Sequence, residues 1–239
     1  MHGEQGLGVP RNLSFCWFPL INFWVDSFIF LIIILRLIPV ETMPSTEVML
    51  FGDSMVRGLE FPGCRYPVEV FSWSGGKLKE PISGQIRRKV SIYLSRTAST
   101  GGRLIVVLHF GSNNIGCRDR RKRAPPQQFW NYLAEMLDFL STQPRVSVVV
   151  SAIIPRDLQD PAVPVKETNE GIMTLLRKYP DWVKWFKAYT LFLRKDQEGK
   201  YVVDESYFKP DRLHFNHRGM ILYAEKLTVA IHHARFPPA

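Results

Sequence analysis

The chain has 239 residues, which is enough for one α/β domain of ordinary size plus an extension. Its composition, 46% hydrophobic and 22% charged without repeats or low-complexity tracts, excludes a solenoid and a largely disordered protein. The formal charge of +9 favours anionic partners, but it does not choose among nucleic acid, acidic lipid and a negatively charged substrate.

The amino-terminal part is dominated by an apolar, aromatic run over residues 15–40. The run is long enough for a membrane helix of about 20 residues, although Asp26 costs roughly 2.5–3.5 kcal/mol on the insertion scale. Residues 15–35 therefore predict either a membrane anchor or a segment dispensable to the fold of a cytoplasmic protein. We accordingly divide the chain into an apolar extension, residues 1–42, and a folded domain, residues 43–239.

Short apolar and β-branched runs in the rest of the chain predict buried parallel strands. They cover residues 47–51, 67–71, 104–110 and 146–154, and a fifth strand is predicted around residues 185–192.

Apolar residues at helical spacing lie between these runs and after the last of them. One stripe is formed by Leu78, Ile82, Ile86, Val90 and Leu94. A second lies over residues 129–140, and a third follows His217. The alternation of strands and helices predicts a three-layer α/β/α sandwich around a parallel, flavodoxin-like sheet, with its ligand site at the carboxyl ends of the strands.

Two polar motifs stand at the two ends of this predicted domain. Gly52-Asp53-Ser54 follows the first strand and would place a serine hydroxyl near a helix amino terminus, where negative charge is favoured. Asp211 and His214 are three residues apart before the last helix, a spacing that lets the carboxylate hold one ring nitrogen while the other acts as a base. Taken singly, an N-cap serine and a solvated surface loop explain the same residues.

Two further motifs follow the second and third strands. Ser74-Gly75-Gly76 could bring a backbone N–H close to Ser54, because glycine has no side chain to block the approach. Gly111-Ser112-Asn113-Asn114 places amide side chains at the same edge of the sheet. A tight turn and an Asx-turn are the structural alternatives for these two motifs.

The four motifs together resemble the SGNH, or GDSL, hydrolase superfamily, whose four sequence blocks contain Ser, Gly, Asn and His. LFGDSMVRG is similar to the first block, SWSGGK to the second, VVLHFGSNNIG to the third and DRLHFNHRGMILYAEKL to the last. The resemblance spans residues 47–227 and implies an esterase domain of this superfamily in residues 43–239.

The resemblance implies a catalytic triad in which Ser54 is the nucleophile, His214 the base and Asp211 its orienting partner. It also implies an oxyanion hole formed by the N–H groups of Ser54 and Gly75 and the side chain of Asn113. Neither a cofactor nor a metal is implied.

One position departs from the superfamily pattern and one segment lies outside it. Asn114 stands where the third block usually has Asp, a difference that leaves the implied oxyanion donor Asn113 in place. The basic run at residues 118–123 could select an anionic substrate, contact nucleic acid or remain a solvated loop.

The expected partner is a small-molecule, lipid or glycan ester. The alternative is a catalytically silent module, similar to the esterase-like domains of some retrotransposons, that binds nucleic acid or another anionic partner. Nucleic acid is less favoured, because Ser54, Asp211 and His214 are intact and the basic run lacks interleaved aromatic residues.

Overall fold

Five parallel strands form the central sheet of this computed structural model, which describes residues 44–115, 125–155 and 162–238. The strands are β1 (Thr46–Gly52), β2 (Val68–Ser72), β3 (Arg103–His109), β4 (Val146–Ser151) and β5 (Val183–Phe186). Their order in the sheet is β2-β1-β3-β4-β5. Because β1 and β3 are neighbours while β2 lies on the other side of β1, the strand order reverses between β1 and β3, where such sheets hold their ligands.

Within these described ranges, four α-helices accompany the sheet. They are α1 (Ile82–Arg96), α2 (Gln127–Ser141), α3 (Ala162–Leu176) and α4 (His217–His232). A small antiparallel hairpin, β6 (Leu193–Lys195) and β7 (Tyr201–Val203), follows β5.

Successive strand residues point to two different hydrophobic cores, because side chains alternate across a strand. Met49 and Phe51 of β1 belong to the core that includes buried residues of α1, α2 and α3. Val48 and Leu50 belong to the core that contains Tyr223 and other residues of α4. Helices therefore cover both faces of the sheet, and the predicted three-layer α/β/α sandwich with a flavodoxin-like strand order is confirmed.

The sequence-based boundaries need three corrections. The fourth strand ends at Ser151 rather than at residue 154. The fifth occupies Val183–Phe186, and the segment Ala188–Phe192, predicted as strand, is a 3₁₀ helix. Leu78 is buried but precedes α1, which begins at Ile82.

Helix α3 and the β6–β7 hairpin are elements that the sequence pattern did not predict. Pro164 and Gly171 lie within α3 and weaken its helical signal. Packing explains Gly171, since a Cβ there would lie 2.7 Å from the Trp130 ring of α2. The close approach of the Trp130 ring to α3 thus requires a residue that the sequence pattern counts as a helix breaker.

Two predicted segments lie outside the described residues. These are the extension with its membrane anchor at residues 15–35 and the basic run at residues 118–123. Within the described residues, no helix combines the length and the apolar character that crossing a membrane requires.

Candidate active site

Ser54 lies on a tight turn at the carboxyl end of β1. The Asp53 side chain caps this turn by accepting a hydrogen bond from the Met55 N–H at 2.9 Å. Gly52 permits the turn, since a Cβ there would lie 2.7 Å from the Val56 side chain and 2.9 Å from the His109 carbonyl oxygen. These contacts hold Ser54, half-buried, at the edge of the sheet.

The helix expected after Ser54 is short, since it is a single 3₁₀ turn, Ser54–Val56, that ends at Arg57. A macrodipole needs many aligned peptide units, so three residues contribute little of it. Stabilisation of negative charge near Ser54 must therefore come from individual donors and charges.

His214 lies in the loop before α4, and this loop is held by its own backbone. The N–H of Lys209 donates to the His214 carbonyl oxygen at 2.8 Å. Phe208 and Phe215 pair as an antiparallel bridge, and their rings lie 5.7 Å apart. The imidazole is thereby fixed between a paired backbone and the start of α4.

The structure brings Ser54, His214 and Asp211 together across 160 residues of sequence. Ser54 Oγ lies 3.0 Å from His214 Nε2, and His214 Nδ1 lies 2.7 Å from Asp211 Oδ2. A carboxylate accepts hydrogen bonds and donates none, so Nδ1 carries the proton that points at Asp211. Nε2 is then left with a lone pair directed at the Ser54 hydroxyl.

The second oxygen of Asp211 is also engaged. Oδ1 accepts from the backbone N–H groups of Leu213 and His214, each at 2.9 Å. Burial opposes ionisation of Asp211, but these bonds and the one from the His214 ring outweigh it and lower the pKa of Asp211 from 3.8 to about 2. The carboxylate is therefore charged at every pH at which an unperturbed histidine titrates.

The loops after β2 and β3 are tied together beside Ser54. Asn113 Nδ2 donates to the Gly76 carbonyl oxygen at 3.2 Å, and Asn114 Oδ1 accepts from the Leu78 N–H at 3.1 Å. Gly75 has φ +63°, which explains why a glycine stands there. Asn114 supplies an acceptor oxygen as an Asp would, so its difference from the superfamily pattern leaves the loop connection intact.

A cavity of about 310 Å³ opens at Ser54. Of the described residues, its lining comprises Ser54, Met55, Arg57, Ser74, Lys209, His214, Phe215 and Met220. Gly75 and Asn113 are therefore neighbours of this cavity through their loops rather than part of its lining.

Sequence reasoning missed the two cations of this lining, Arg57 and Lys209. Both stand close to motif residues in the chain, and their positive charge favours negative charge developing near Ser54.

A buried polar cluster lies beneath the site and joins β3, β4 and α4. The Tyr223 hydroxyl donates to Ser151 Oγ at 2.9 Å and lies 2.8 Å from His109 Nδ1. Burial, together with the negative charge of Asp53, raises the pKa of Tyr223 above its ordinary value. The neutral Tyr223 hydroxyl therefore links three elements beneath the turn that carries Ser54.

Across residues 44–115, 125–155 and 162–238, no group of three or more His, Cys, Asp or Glu side chains is placed to hold a metal ion.

Comparison with known proteins adds information at the level of the fold. No protein-family model and no curated protein sequence matches this chain. A lipase/acylhydrolase from Enterococcus faecalis superposes with a TM-score of 0.57 at 14% identity, over 82% of this chain and 100% of that chain. A GDSL-like lipase from Bacteroides thetaiotaomicron gives 0.55 at 14% identity, over 79% and 89% of the two chains.

An acetyl xylan esterase from Geobacillus stearothermophilus gives a TM-score of 0.50 at 14% identity, over 82% of this chain and 99% of that chain. These structures share their strand-and-helix architecture with this chain at sequence identities that establish architecture alone. The described domain has the SGNH hydrolase fold.

Proposed function

We propose that this chain is a serine hydrolase that cleaves carboxylic esters through an acyl-enzyme intermediate. The observation that carries the proposal is the unbroken hydrogen-bonded chain from Ser54 Oγ through the His214 ring to Asp211, with distances of 3.0 and 2.7 Å. Nucleophile, base and orienting acid in this geometry are the elements of acyl transfer.

Acylation follows from the protonation state of the three groups. Ser54 Oγ attacks the ester carbonyl carbon while its proton passes to His214 Nε2, and Asp211 stabilises the resulting imidazolium. The tetrahedral intermediate then collapses, and the leaving alkoxide takes the proton from Nε2. Water, deprotonated by the same nitrogen, attacks the acyl-serine and releases the carboxylic acid with Ser54 reprotonated.

The oxyanion of the intermediate needs donors on the side of the β2 and β3 loops. The proposed donors are the N–H groups of Ser54 and Gly75 and the side chain of Asn113. An amide nitrogen carries two hydrogens, so Asn113 Nδ2 can hold Gly76 with one and offer the other to the oxyanion. Arg57 and Lys209 add positive charge to the same cavity.

The substrate class follows from the chemistry that the site can perform. The similar structures are named as a lipase/acylhydrolase, a GDSL-like lipase and an acetyl xylan esterase, which act on different molecules through an ester bond. We therefore propose an acyl or acetyl ester of a small molecule, glycan or lipid as the substrate. The two cations of the cavity favour esters with an anionic group near the carbonyl.

A fluorophosphonate probe tests the proposal, because it reacts with an activated serine. The full chain is expected to be labelled at Ser54 and to hydrolyse p-nitrophenyl acetate. Ser54→Ala should abolish labelling and lower kcat by about 10⁴-fold or more. The matched control is Ser91→Ala, which removes an exposed hydroxyl from α1 and should change neither measurement. Equal labelling and hydrolysis by wild type and Ser54→Ala would refute the proposal.

A further inference from the structure

A second cavity, which we call the apolar groove, lies beside the one at Ser54. It has a volume of about 530 Å³, within the range of about 300–1,000 Å³ typical of small-molecule sites. One wall is the segment Gly58–Gly63, directly after the nucleophile turn, and the other is the first three turns of α4. The groove is thus built from the two chain segments that follow Ser54 and His214.

The lining of the groove is mainly apolar and partly exposed. Ile221 is 46% exposed although it is a large aliphatic residue, and Phe61 is half-buried opposite it. Ala224 leaves space at the bottom of the groove because its side chain is a single methyl group. Apolar surface left in contact with water at such a concave site favours an apolar occupant.

Met220 connects the groove with the Ser54 cavity. Its side chain lines both cavities, and its Cε lies 3.6 Å from the position that a Cβ of Gly58 would occupy. On the opposite wall, Arg57 lines the Ser54 cavity while the next residue, Gly58, lines the groove. A ligand can therefore pass along Met220 from a polar cavity into an apolar one.

The charged groups of the groove restrict the occupant further. Glu60, His217 and Glu225 contribute to its lining and are exposed to solvent. Two carboxylates disfavour an occupant that ends in a free carboxylate. A neutral hydrocarbon chain suits both the apolar walls and these carboxylates.

We propose that the apolar groove binds the alkyl chain of an ester whose carbonyl group lies at Ser54. This inference rests on the proposed esterase function and adds to it a preference for chains longer than acetyl. The carbonyl and its oxyanion lie among the donors and cations of the Ser54 cavity, while the chain runs past Met220. Each methylene that enters the groove should raise kcat/KM by up to about fourfold, until the chain fills it.

The experiment measures kcat/KM of the full chain over two series of esters. The first lengthens the acyl group of p-nitrophenyl esters from acetate to dodecanoate, and the second lengthens the alcohol of alkyl acetates. We expect the octanoate-to-acetate ratio, or its counterpart in the alcohol series, to exceed 10. A rise in the acyl series places the acyl chain in the groove, whereas a rise in the alcohol series places the alcohol chain there, and either supports the proposal.

Two variants address the groove itself. Gly63→Trp adds a ring to its wall, and a Cβ at Gly63 meets nothing within 4 Å, so the variant has room to fold. Ile221→Ser removes apolar surface, and its matched control is Val229→Ser on the same helix, since Val229 is 53% exposed and outside the groove lining. Both groove variants should lower the long-to-short chain ratio of kcat/KM at least fivefold in the ester series that rises for wild type, and the control should keep the wild-type ratio.

The outcomes separate this inference from the proposed function. Hydrolysis of acetate with no gain from longer chains, or wild-type ratios in both Gly63→Trp and Ile221→Ser, overturns the groove proposal and leaves the esterase intact. Absence of both Ser54 labelling and acetate hydrolysis overturns the esterase proposal and the groove proposal with it.

Discussion

Asp211 shows how a single side chain can fix both the conformation of a loop and the protonation state of its neighbour. One carboxylate oxygen accepts from two backbone N–H groups, and the other accepts from the ring of His214. The first oxygen holds the loop, in which Arg212 takes a φ of 51° that non-glycine residues seldom adopt. The second selects the tautomer that leaves His214 Nε2 free to accept from Ser54.

Replacing Asp211 with Asn should impair the proposed chemistry more than the fold. An amide can present a donor to Nδ1, which would move the ring proton to Nε2 and deprive Ser54 of its base. We expect kcat for p-nitrophenyl acetate to fall by about 10³–10⁴-fold. The control is Asp204→Asn, because Asp204 caps a 3₁₀ turn outside the site through the Ser206 N–H. Activity of Asp211→Asn within tenfold of wild type would contradict the assigned role.

The low pKa of Asp211 also predicts a pH dependence of stability. The folded value of about 2 lies below the ordinary 3.8, so the charged carboxylate stabilises the folded state fully above pH 4 and loses this effect as the pH falls towards 2. The urea midpoint of wild type should therefore exceed that of Asp211→Asn at pH 6, and the gap should close near pH 2. The gap should be small, because the side chain is 48% exposed. A gap that widens on acidification would contradict the assigned pKa.

At the scale of elements, the site depends on connections between β-strand ends and α4. Asn113 and Asn114 tie the loop after β3 to the loop after β2. Beneath them, His109 of β3, Ser151 of β4 and Tyr223 of α4 form one hydrogen-bonded cluster. The loops after β2 and β3, and the elements β3, β4 and α4, are thus joined by polar contacts as well as by packing.

Tyr223→Phe should lower stability, because it removes the hydroxyl that His109 and Ser151 share in the core, while these two side chains keep their own contact at 3.1 Å. A hydrogen bond contributes about 0.5–1.5 kcal/mol net, so the free energy of unfolding should fall by about that amount. Urea denaturation measures the change. Tyr201→Phe is the matched control, since Tyr201 is 70% exposed, and it should be neutral. An unchanged midpoint in Tyr223→Phe would show that the cluster does not stabilise the fold.

At the scale of the whole molecule, the sheet separates two hydrophobic cores and its edge carries the site. Strands β3 and β4 are buried on both faces, as parallel strands covered by helices must be. The core on the α4 side holds the helix whose first turn follows His214, so packing in this core determines how far the imidazole lies from Ser54.

Leu50→Ala tests this core directly, since Leu50 is fully buried in β1 on the α4 side. Removing its side chain should lower the free energy of unfolding by about 2–5 kcal/mol, as lost burial and a cavity both contribute. Ile92→Ala is the comparison, because Ile92 is 53% exposed and should change stability by about 0.5 kcal/mol or less. Equal urea midpoints for the two variants would contradict the arrangement of layers.

The local pattern of apolar residues was sufficient to predict the sheet and to place the motifs at its strand ends. Strands buried on both faces are unbroken apolar runs, so β1 to β4 are visible in the sequence to within a few residues. The residues that end β1, β2 and β3 meet at one edge because parallel strands share a direction. The meeting of Ser54 with His214 and Asp211 was instead expected from the resemblance of the four motifs to the SGNH hydrolases, because Asp211 and His214 lie in a loop before α4 and not at the end of a sheet strand.

Tertiary structure decided the features that depend on contacts between distant segments. The glycine at position 171 is explained only by the Trp130 ring that packs against it, so α3 could not be predicted from its own residues. Arg57 and Lys209 reach the Ser54 cavity, and Met220 joins this cavity to the apolar groove, through packing that residue spacing does not encode. The spacing of apolar residues and the motifs that follow the strands determine which residues come to one edge of the sheet. The shape of a cavity depends instead on side chains that are remote in sequence.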